Sequence, residues 1–329
     1  MRKLNVAIVG ATGMVGQTFL KVLEEGHLPL GEVVLLASKK SVGKEVSFRG
    51  QTLVVEELTR ESLDPERFQF ALFSAGGGIS STYAPLAVEK GMVVIDNSSA
   101  FRMAEGVPLI VPEVNMPEAK EAKLLANPNC STIQSVLPLS VIDDLFSVKR
   151  VAYTTYQAVS GSGQKGVEDF LATQRGEAPS FYPKAIYNNC LPHIDVFLSD
   201  GSTKEEEKMV EETRKILGKK ELQVTATCVR VPVLNGHSVA MNVTCERPID
   251  YGVLAKALER KEGLLFFREP HTYPVATEAT GKDLVLVGRL REDLSQDNSL
   301  HLWCVADNVR KGAASNAVQI LEKIWEERI

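Results

Sequence analysis

The residues Asn127-Pro-Asn-Cys-Ser-Thr132 combine types that could do covalent chemistry. Leu124, Leu125 and Ala126 before them read as the end of a short buried strand. Cys130 to Phe146 after them read as a helix, with Ile133, Val136, Leu137, Ser140 and Val141 at helical spacing. Pro128 and the two asparagines make the turn between, so Cys130 stands at a loop-to-helix junction. The unpaired N–H groups of a helix start and the positive end of its dipole favour a thiolate there, and the same groups could bind an oxyanion. A nucleophile is one reading; a small buried packing residue, the usual fate of a free cysteine, is the other. Among the five histidines, His237 is best placed to act as a base. It follows Asn235-Gly236 at the mouth of a strand, where a turn can aim it into a cleft. His193 lies between apolar Leu191, Pro192 and Ile194 and reads as structural. His27, His271 and His301 have no comparable context.

A thiol and an imidazole on a dinucleotide-binding fold suit the covalent oxidation of an aldehyde. The thiolate adds to the carbonyl, hydride leaves to nicotinamide, and a second nucleophile releases the thioester. Water would give an acid. Phosphate would give an acyl phosphate and would require a basic anion pocket. The chain begins with a fitting cofactor signal: strand Leu4 to Val9, then Gly10-Ala-Thr-Gly13-Met-Val-Gly16, then a helix through Phe19, Leu20, Val22 and Leu23. Strand, glycine turn and helix in that order point to a dinucleotide, with a purely structural turn as the alternative. The second strand, Val33 to Ala37, ends in Ser38-Lys-Lys-Ser-Val-Gly43 without the acidic residue that often bonds the ribose of NAD. Lys40 and Ser41 there favour NADP; a solvated loop is the other reading.

Further strands at Phe70 to Ser74 and Val93 to Asp96 alternate with helices, as in a doubly wound parallel sheet. Val46 to Phe48 and Gln51 to Val55 look like a hairpin insertion turned at Arg49-Gly50. Loops at the carboxyl ends of parallel strands carry ligands, which places Gly76, Ser98, Ser99 and Arg102 near a bound molecule. An anion site suits Arg102 beside Ser98 and Ser99; a surface position is the alternative. Beyond Cys130 the pattern changes. The strand Lys149 to Tyr156 leads into the glycine- and hydroxyl-rich Gln157 to Gly163. A charged helix spans Lys204 to Leu217, and alternating strands follow at Gln223 to Val229, Val239 to Cys245, Leu284 to Leu290 and Leu300 to Ala306. We expect an α/β fold: a Rossmann-like doubly wound parallel sheet in residues 1–129, then an α+β catalytic and dimerisation domain with a mixed sheet in 130–309. Residues 310–329 would form a C-terminal helix packing back on the first domain.

With 329 residues, the chain exceeds one typical core. A net charge of -5 argues against bulk electrostatic binding of nucleic acid, while leaving room for a local anion pocket. None of the five cysteines forms a C-x-x-C pair or a zinc-like spacing with histidine, so no metal site is expected. Cys228, Cys245 and Cys304 fall inside strands and read as packing residues. Free thiols, no signal peptide and no long apolar run together suggest a cytoplasmic protein without a membrane partner.

Taken in order, Gly10 to Gly16, Asn97-Ser-Ser-Ala-Phe-Arg102, Asn127 to Thr132, Gln157-Ala-Val-Ser-Gly161, Arg230-Val-Pro-Val, Gly236-His237 and Asp307-Asn-Val-Arg-Lys-Gly312 closely resemble the bacterial-type aspartate-semialdehyde dehydrogenase family, over essentially the whole chain. The resemblance implies Cys130 as nucleophile, His237 as general acid/base and Gln157 as the residue that orients substrate. It implies Arg230 on the substrate α-carboxylate, a task suited to a planar fork of donors. Glu205 would meet the amino group, and Arg102 and Lys208 the phosphate. Gly10, Thr12, Gly13, Met14, Val15, Lys40, Ser41, Ser160, Gly161 and Asn308 would contact NADP. Many members have Arg-Ser where this chain has Lys40-Ser41, which implies a weaker NADP preference. The implied reaction is NADPH-dependent reduction of L-4-aspartyl phosphate to L-aspartate 4-semialdehyde and phosphate. That step leads to lysine (through diaminopimelate), threonine and methionine, and the family works as a homodimer or tetramer. Competing readings are N-acetyl-glutamyl-phosphate reductase or an acyl-CoA reductase, and a non-catalytic nucleotide-binding paralogue. The latter would be expected to lack Cys130 or His237.

Overall fold

The computed structural model describes residues 3–327. The chain divides into two compact units, Met1–Pro128 with Ala313–Ile329, and Asn129–Gly312.

The first unit follows from short apolar runs, which bury on both faces only in a parallel sheet covered by helices. Its elements are β1 (Leu4–Val9), α1 (Met14–Glu25), β2 (Leu30–Ala37), β3 (Glu45–Phe48), β4 (Gln51–Glu57), β5 (Phe70–Phe73), α2 (Gly77–Glu89), β6 (Val93–Asp96), α3 (Pro112–Asn115) and β7 (Leu124–Ala126). Among the described residues they form a seven-stranded sheet of order β3-β4-β2-β1-β5-β6-β7, parallel except for the β3–β4 hairpin. That hairpin is not an insertion. β4 pairs parallel with β2, Leu35 opposite Val55, because Val55 and Phe48 are buried in the core on one face of the sheet. That face also takes Phe19, Leu20 and Leu23 of α1, while Ala84 and Ala87 of α2 pack on the other.

The second unit opens with α4 (Cys130–Phe146), followed by β8 (Val148–Gln157), α5 (Gln164–Gln174), α6 (Lys204–Ile216), β9 (Gln223–Arg230), β10 (His237–Cys245), α7 (Tyr251–Arg260), β11 (Leu264–Phe266), α8 (Ala276–Ala279), β12 (Val285–Glu292) and β13 (Ser299–Ala306). The sheet is mixed, of order β11-β12-β13-β10-β8-β9, with β8–β9 and β11–β12 parallel and the central pairs antiparallel. α4 lies against this sheet, α6 and α7. It is buried on nearly every side rather than along one stripe, and even Ser131, Thr132, Gln134 and Ser135 are inaccessible. Such a helix fixes its first residue firmly. The chain returns to the first unit as a π-helical turn over 310–314 and α9 (Ser315–Glu327), whose Ala317, Ile320, Leu321 and Ile324 join the α1 face. No described helix is long and apolar enough to cross a membrane.

Candidate active site

In the second unit the turn ahead of α4 is held from several directions. Asn129 is the N-cap, and its Oδ1 accepts from the N–H groups of Ser131 (2.9 Å) and Thr132 (3.3 Å). Those are two of the donors expected to meet an oxyanion. The cap consumes them, because a buried helix start must satisfy its N–H groups internally. The Asn129 backbone N–H donates to Glu212 Oε2 at 2.6 Å, and Asn129 Nδ2 donates to Glu205 Oε1 at 2.9 Å. Both carboxylates come from α6, seven residues apart and so on one face. Cys130 is half-buried, and behind it Gly312 leaves no room for a side chain: a Cβ there would lie 2.9 Å from that of Cys130.

Glu205 gathers the polar residues of this unit. It is 5% exposed, and its Oε1 also accepts from Gln157 Nε2 at 3.0 Å. Its Oε2 meets Lys208 Nζ at 3.2 Å, and Lys208 reaches on to Asp195 Oδ2 at 2.6 Å. Burial by itself would raise the Glu205 carboxyl. The Lys208 ammonium, hydrogen bonds from Gln157 and Asn129, and the charge of Arg230 bring it below its usual value instead. Burial likewise opposes the charge on Lys208, but Glu205 and Asp195 raise it above the ordinary lysine value. Gln157, at the end of β8, is held through both ends of its amide, since its Oε1 also accepts from the Thr155 hydroxyl at 3.0 Å.

His237 is the first residue of β10 and is completely buried, where a strand mouth facing a cleft was expected. Its Nδ1 accepts from the Ala158 N–H at 3.0 Å, which leaves a neutral ring with its proton on Nε2. Nε2 is buried and has no partner. Burial first, then the Arg230 charge, hold the imidazole well below its ordinary 6.5. Arg230 ends β9, donates through Nη1 to the Ala158 carbonyl at 2.7 Å, and keeps a buried Nε without a partner. Gly161 connects the two residues. A Cβ at that position would sit 2.8 Å from Arg230 Nη1 and 3.0 Å from His237 Nε2, so the missing side chain leaves space that both nitrogens face. Ser160 and Asn308 tie this loop down. The Ser160 hydroxyl donates to Asn235 Oδ1 at 2.9 Å, and Asn308 Oδ1 accepts from the Gly236 N–H at 2.9 Å. His193 stacks on Phe197 with ring centroids 4.2 Å apart.

The buried thiols contrast with Cys130. Burial pushes Cys304 up to about 12 and Cys245 to about 11, and raises Cys228 too, so all three are inert packing residues. No described group of His, Cys, Asp and Glu could hold a metal ion.

In the first unit the glycine turn makes a tight cradle. Gly10 has φ +87°, and a Cβ on it would lie 2.8 Å from the Ala75 nitrogen. One on Gly16 would meet the Gly10 carbonyl at 2.3 Å. α1 starts at Met14 after Gly13 without a side-chain cap, which keeps its first N–H groups available to an anion. The Thr12 and Ser41 hydroxyls are 3.3 Å apart, while Lys40 is exposed. Arg102 is buried and donates to the carbonyls of Asn127 (2.9 Å) and Asn97 (3.0 Å). Asp96 accepts from the Ser80 and Ser98 hydroxyls, each at 2.7 Å. Asn127, buried, bonds Asn97, Asn316 and the Ala313 carbonyl.

Asn129, Glu212 and Asp195 were not anticipated as part of this arrangement. The capping preference of Asn129 was a readable signal, whereas the partners on α6 lie too far along the chain.

Family models agree with these two architectures. The model described as semialdehyde dehydrogenase, NAD binding domain, matches residues 5–122, and that described as semialdehyde dehydrogenase, dimerisation domain, matches 139–311. The chain is 48% identical to aspartate-semialdehyde dehydrogenase of Aquifex aeolicus, over 98% of each chain. It is 47% identical to aspartate-semialdehyde dehydrogenase 2 of Vibrio cholerae, over 98% of this chain and 97% of that one. The crystal structure of aspartate semialdehyde dehydrogenase II from Vibrio cholerae complexed with ASA superposes with a TM-score of 0.95 at 44% identity, covering all of both chains. On this full-length similarity, the chain belongs to the aspartate-semialdehyde dehydrogenase family.

Proposed function

We propose that this chain reduces L-4-aspartyl phosphate to L-aspartate 4-semialdehyde and phosphate with NADPH, through a thioester on Cys130. The observation that carries this reading is the opposed pair of buried charges, Arg230 with an unpartnered Nε and Glu205 fixed in its ionised form. Together they suit a free amino acid: Arg230 takes the α-carboxylate as a fork, and Glu205 takes the ammonium. An N-acylated substrate has no ammonium for Glu205, which disfavours the N-acetyl-glutamyl-phosphate reductase reading.

The Cys130 thiolate attacks the acyl carbon, the C–S bond forms, and the C–O bond to phosphate breaks. Gln157 orients the acyl group beside the thiol, and Lys208 and Arg102 receive the departing phosphate. When bound, NADPH supplies the hydride that reduces the thioester. The His237 Nε2–H donates a hydrogen bond to the resulting thiohemiacetal oxyanion without giving up its proton, and the oxyanion collapses to the aldehyde and returns the thiolate. As a neutral donor, His237 replaces the backbone oxyanion site that the Asn129 cap removes. In the aldehyde-oxidising direction it holds the same oxyanion.

The glycine cradle at Gly10 and Gly16 fits a pyrophosphate that approaches the backbone closely. We assign Gly10, Thr12, Gly13, Met14 and Val15 to it, Lys40 and Ser41 to the extra phosphate of NADP, and Ser160, Gly161 and Asn308 to further cofactor contacts. On the sheet of the second unit the rings of Tyr156 and Trp303 are 5.4 Å apart, and Tyr156 and Tyr273 are 37% and 57% exposed. Such an apolar face supports a homodimer paired through it. Five free cysteines suit the reducing cytoplasm.

The test follows NADPH absorbance with purified protein, NADP and L-aspartate 4-semialdehyde. NADPH formation that depends on added phosphate supports the reading. Equal formation without phosphate would mean that water releases the acyl-enzyme.

A further inference from the structure

The segment Leu191-Pro-His-Ile-Asp195 precedes α6, and its aspartate reaches the lysine assigned to phosphate. Lys208 Nζ lies 2.6 Å from Asp195 Oδ2 and 3.2 Å from Glu205 Oε2. Two carboxylates therefore share one ammonium, and they are held differently. Glu205 is buried and its other oxygen is bonded by Asn129 and Gln157, so it cannot leave. The Asp195 side chain is 35% exposed and is the closer partner. Its backbone has φ +68°, a left-handed conformation that Asp tolerates better than most residues. Its Oδ1 accepts from the Val196 N–H at 2.9 Å. The loop behind it is anchored without Lys208: the Val196 carbonyl accepts from the Lys204 N–H at 2.9 Å, Phe197 bridges to Thr203, and His193 stacks on Phe197. Asp195 can thus turn its side chain away while the loop stays in place.

We propose that Asp195 is a built-in competitor of the phosphoryl group: its carboxylate occupies Lys208 in the empty site and is displaced when phosphate or an acyl phosphate binds. This rests on the assignment of Lys208 to phosphate. The swap has a consequence for selectivity. A doubly charged phosphoryl group gains more from Lys208 than a single carboxylate does, so it wins the exchange, whereas a singly charged carboxylic acid does not. Asp195 is therefore a specificity-determining residue that keeps singly charged anions off Lys208.

The experiment measures KM for inorganic phosphate and for L-aspartate 4-semialdehyde in the NADP-reducing direction. It uses wild type, Asp195→Asn, Asp195→Gly, Lys208→Met and the Asp195→Asn/Lys208→Met double variant. Asn and Gly both accept the left-handed backbone, so one can stand in if the other folds poorly. We expect Asp195→Asn to lower the phosphate KM about fivefold relative to the aldehyde KM, the scale of one partly exposed ion pair. In the Lys208→Met background the same change should have no further effect on the phosphate KM. If the phosphate KM is unchanged or raised by Asp195→Asn while Lys208→Met raises it, Asp195 is a fixed support for Lys208 and the proposal falls, with the phosphate assignment intact. If Lys208→Met leaves the phosphate KM unchanged, the assignment itself fails and the proposal with it.

Discussion

A buried imidazole whose Nδ1 already accepts a peptide N–H has one proton to offer, on Nε2, and nowhere convenient to take a second. That is the position of His237, and it sets a pH dependence. The folded protein keeps this ring neutral well below 6.5, whereas the unfolded chain protonates it near that value. Folding stability is unaffected above this value and falls as pH drops below it, because the unfolded state then binds the extra proton. We expect the melting temperature to fall between pH 7.5 and 5.5, and His237→Asn to remove part of that fall. The same variant should lower turnover by about 10²- to 10³-fold, the usual loss for one oxyanion donor. A fall in melting temperature identical in the two proteins would show that His237 is not the group responsible. Asn129 is the second decisive residue. Asn129→Ala should cost about 1 kcal/mol of stability through the lost cap. Asn129→Asp keeps the cap but sets a carboxylate against Glu205. Its stability, read by denaturant unfolding, should therefore fall below that of Asn129→Ala, and kcat should fall with it.

At the scale of elements, α6 works as a ruler. Glu205, Lys208 and Glu212 recur at helical spacing on one face, and all act near the start of α4 directly or through Asn129. Glu212→Ala would leave the buried Asn129 N–H unsatisfied, at about 1–3 kcal/mol, while Glu212→Gln retains an acceptor and should recover most of that. Urea denaturation of the two variants checks this, and equal losses would mean that the acceptor is not what matters. α6 also shows what a sequence can reveal. Its charged composition marked it as a helix, and the resemblance singled out Glu205 and Lys208 in it. Nothing local distinguished Glu212 from its neighbours Glu206, Glu207 and Glu211, since only the fold brings it to Asn129. The strands were easier: uninterrupted runs such as Val93–Asp96 read as buried strands because nothing else buries such a run on both sides. The β3–β4 hairpin misled because its alternating pattern is that of an edge strand. Pairing of β4 with β2 is a long-range choice that local pattern does not encode.

The whole molecule consists of two compact units: one built on a nucleotide-type parallel sheet, and one whose mixed sheet ends in Arg230 and His237 while its helices α4 and α6 carry Cys130 and Glu205. The motif order let the chain be placed in its family before any coordinates. The neutral tautomer of His237 and the Asp195–Lys208 pair became visible only in three dimensions. Assembly is the property of this scale that can be tested. Tyr156→Glu places a charge on the exposed part of the mixed sheet beside Trp303 and should shift the protein toward monomer in analytical ultracentrifugation. A dimer of unchanged stability would move the interface elsewhere.

The central claim is a covalent thioester on Cys130. It is tested most directly by intact-protein and peptide mass spectrometry after mixing the enzyme with NADP and L-aspartate 4-semialdehyde in phosphate-free buffer. The account predicts an aspartyl adduct on the peptide containing Cys130, cleared by added phosphate and missing from Cys130→Ala, with activity of that variant reduced by at least about a thousandfold. An active enzyme that carries no adduct under these conditions, or a Cys130→Ala variant that keeps its turnover, would contradict it.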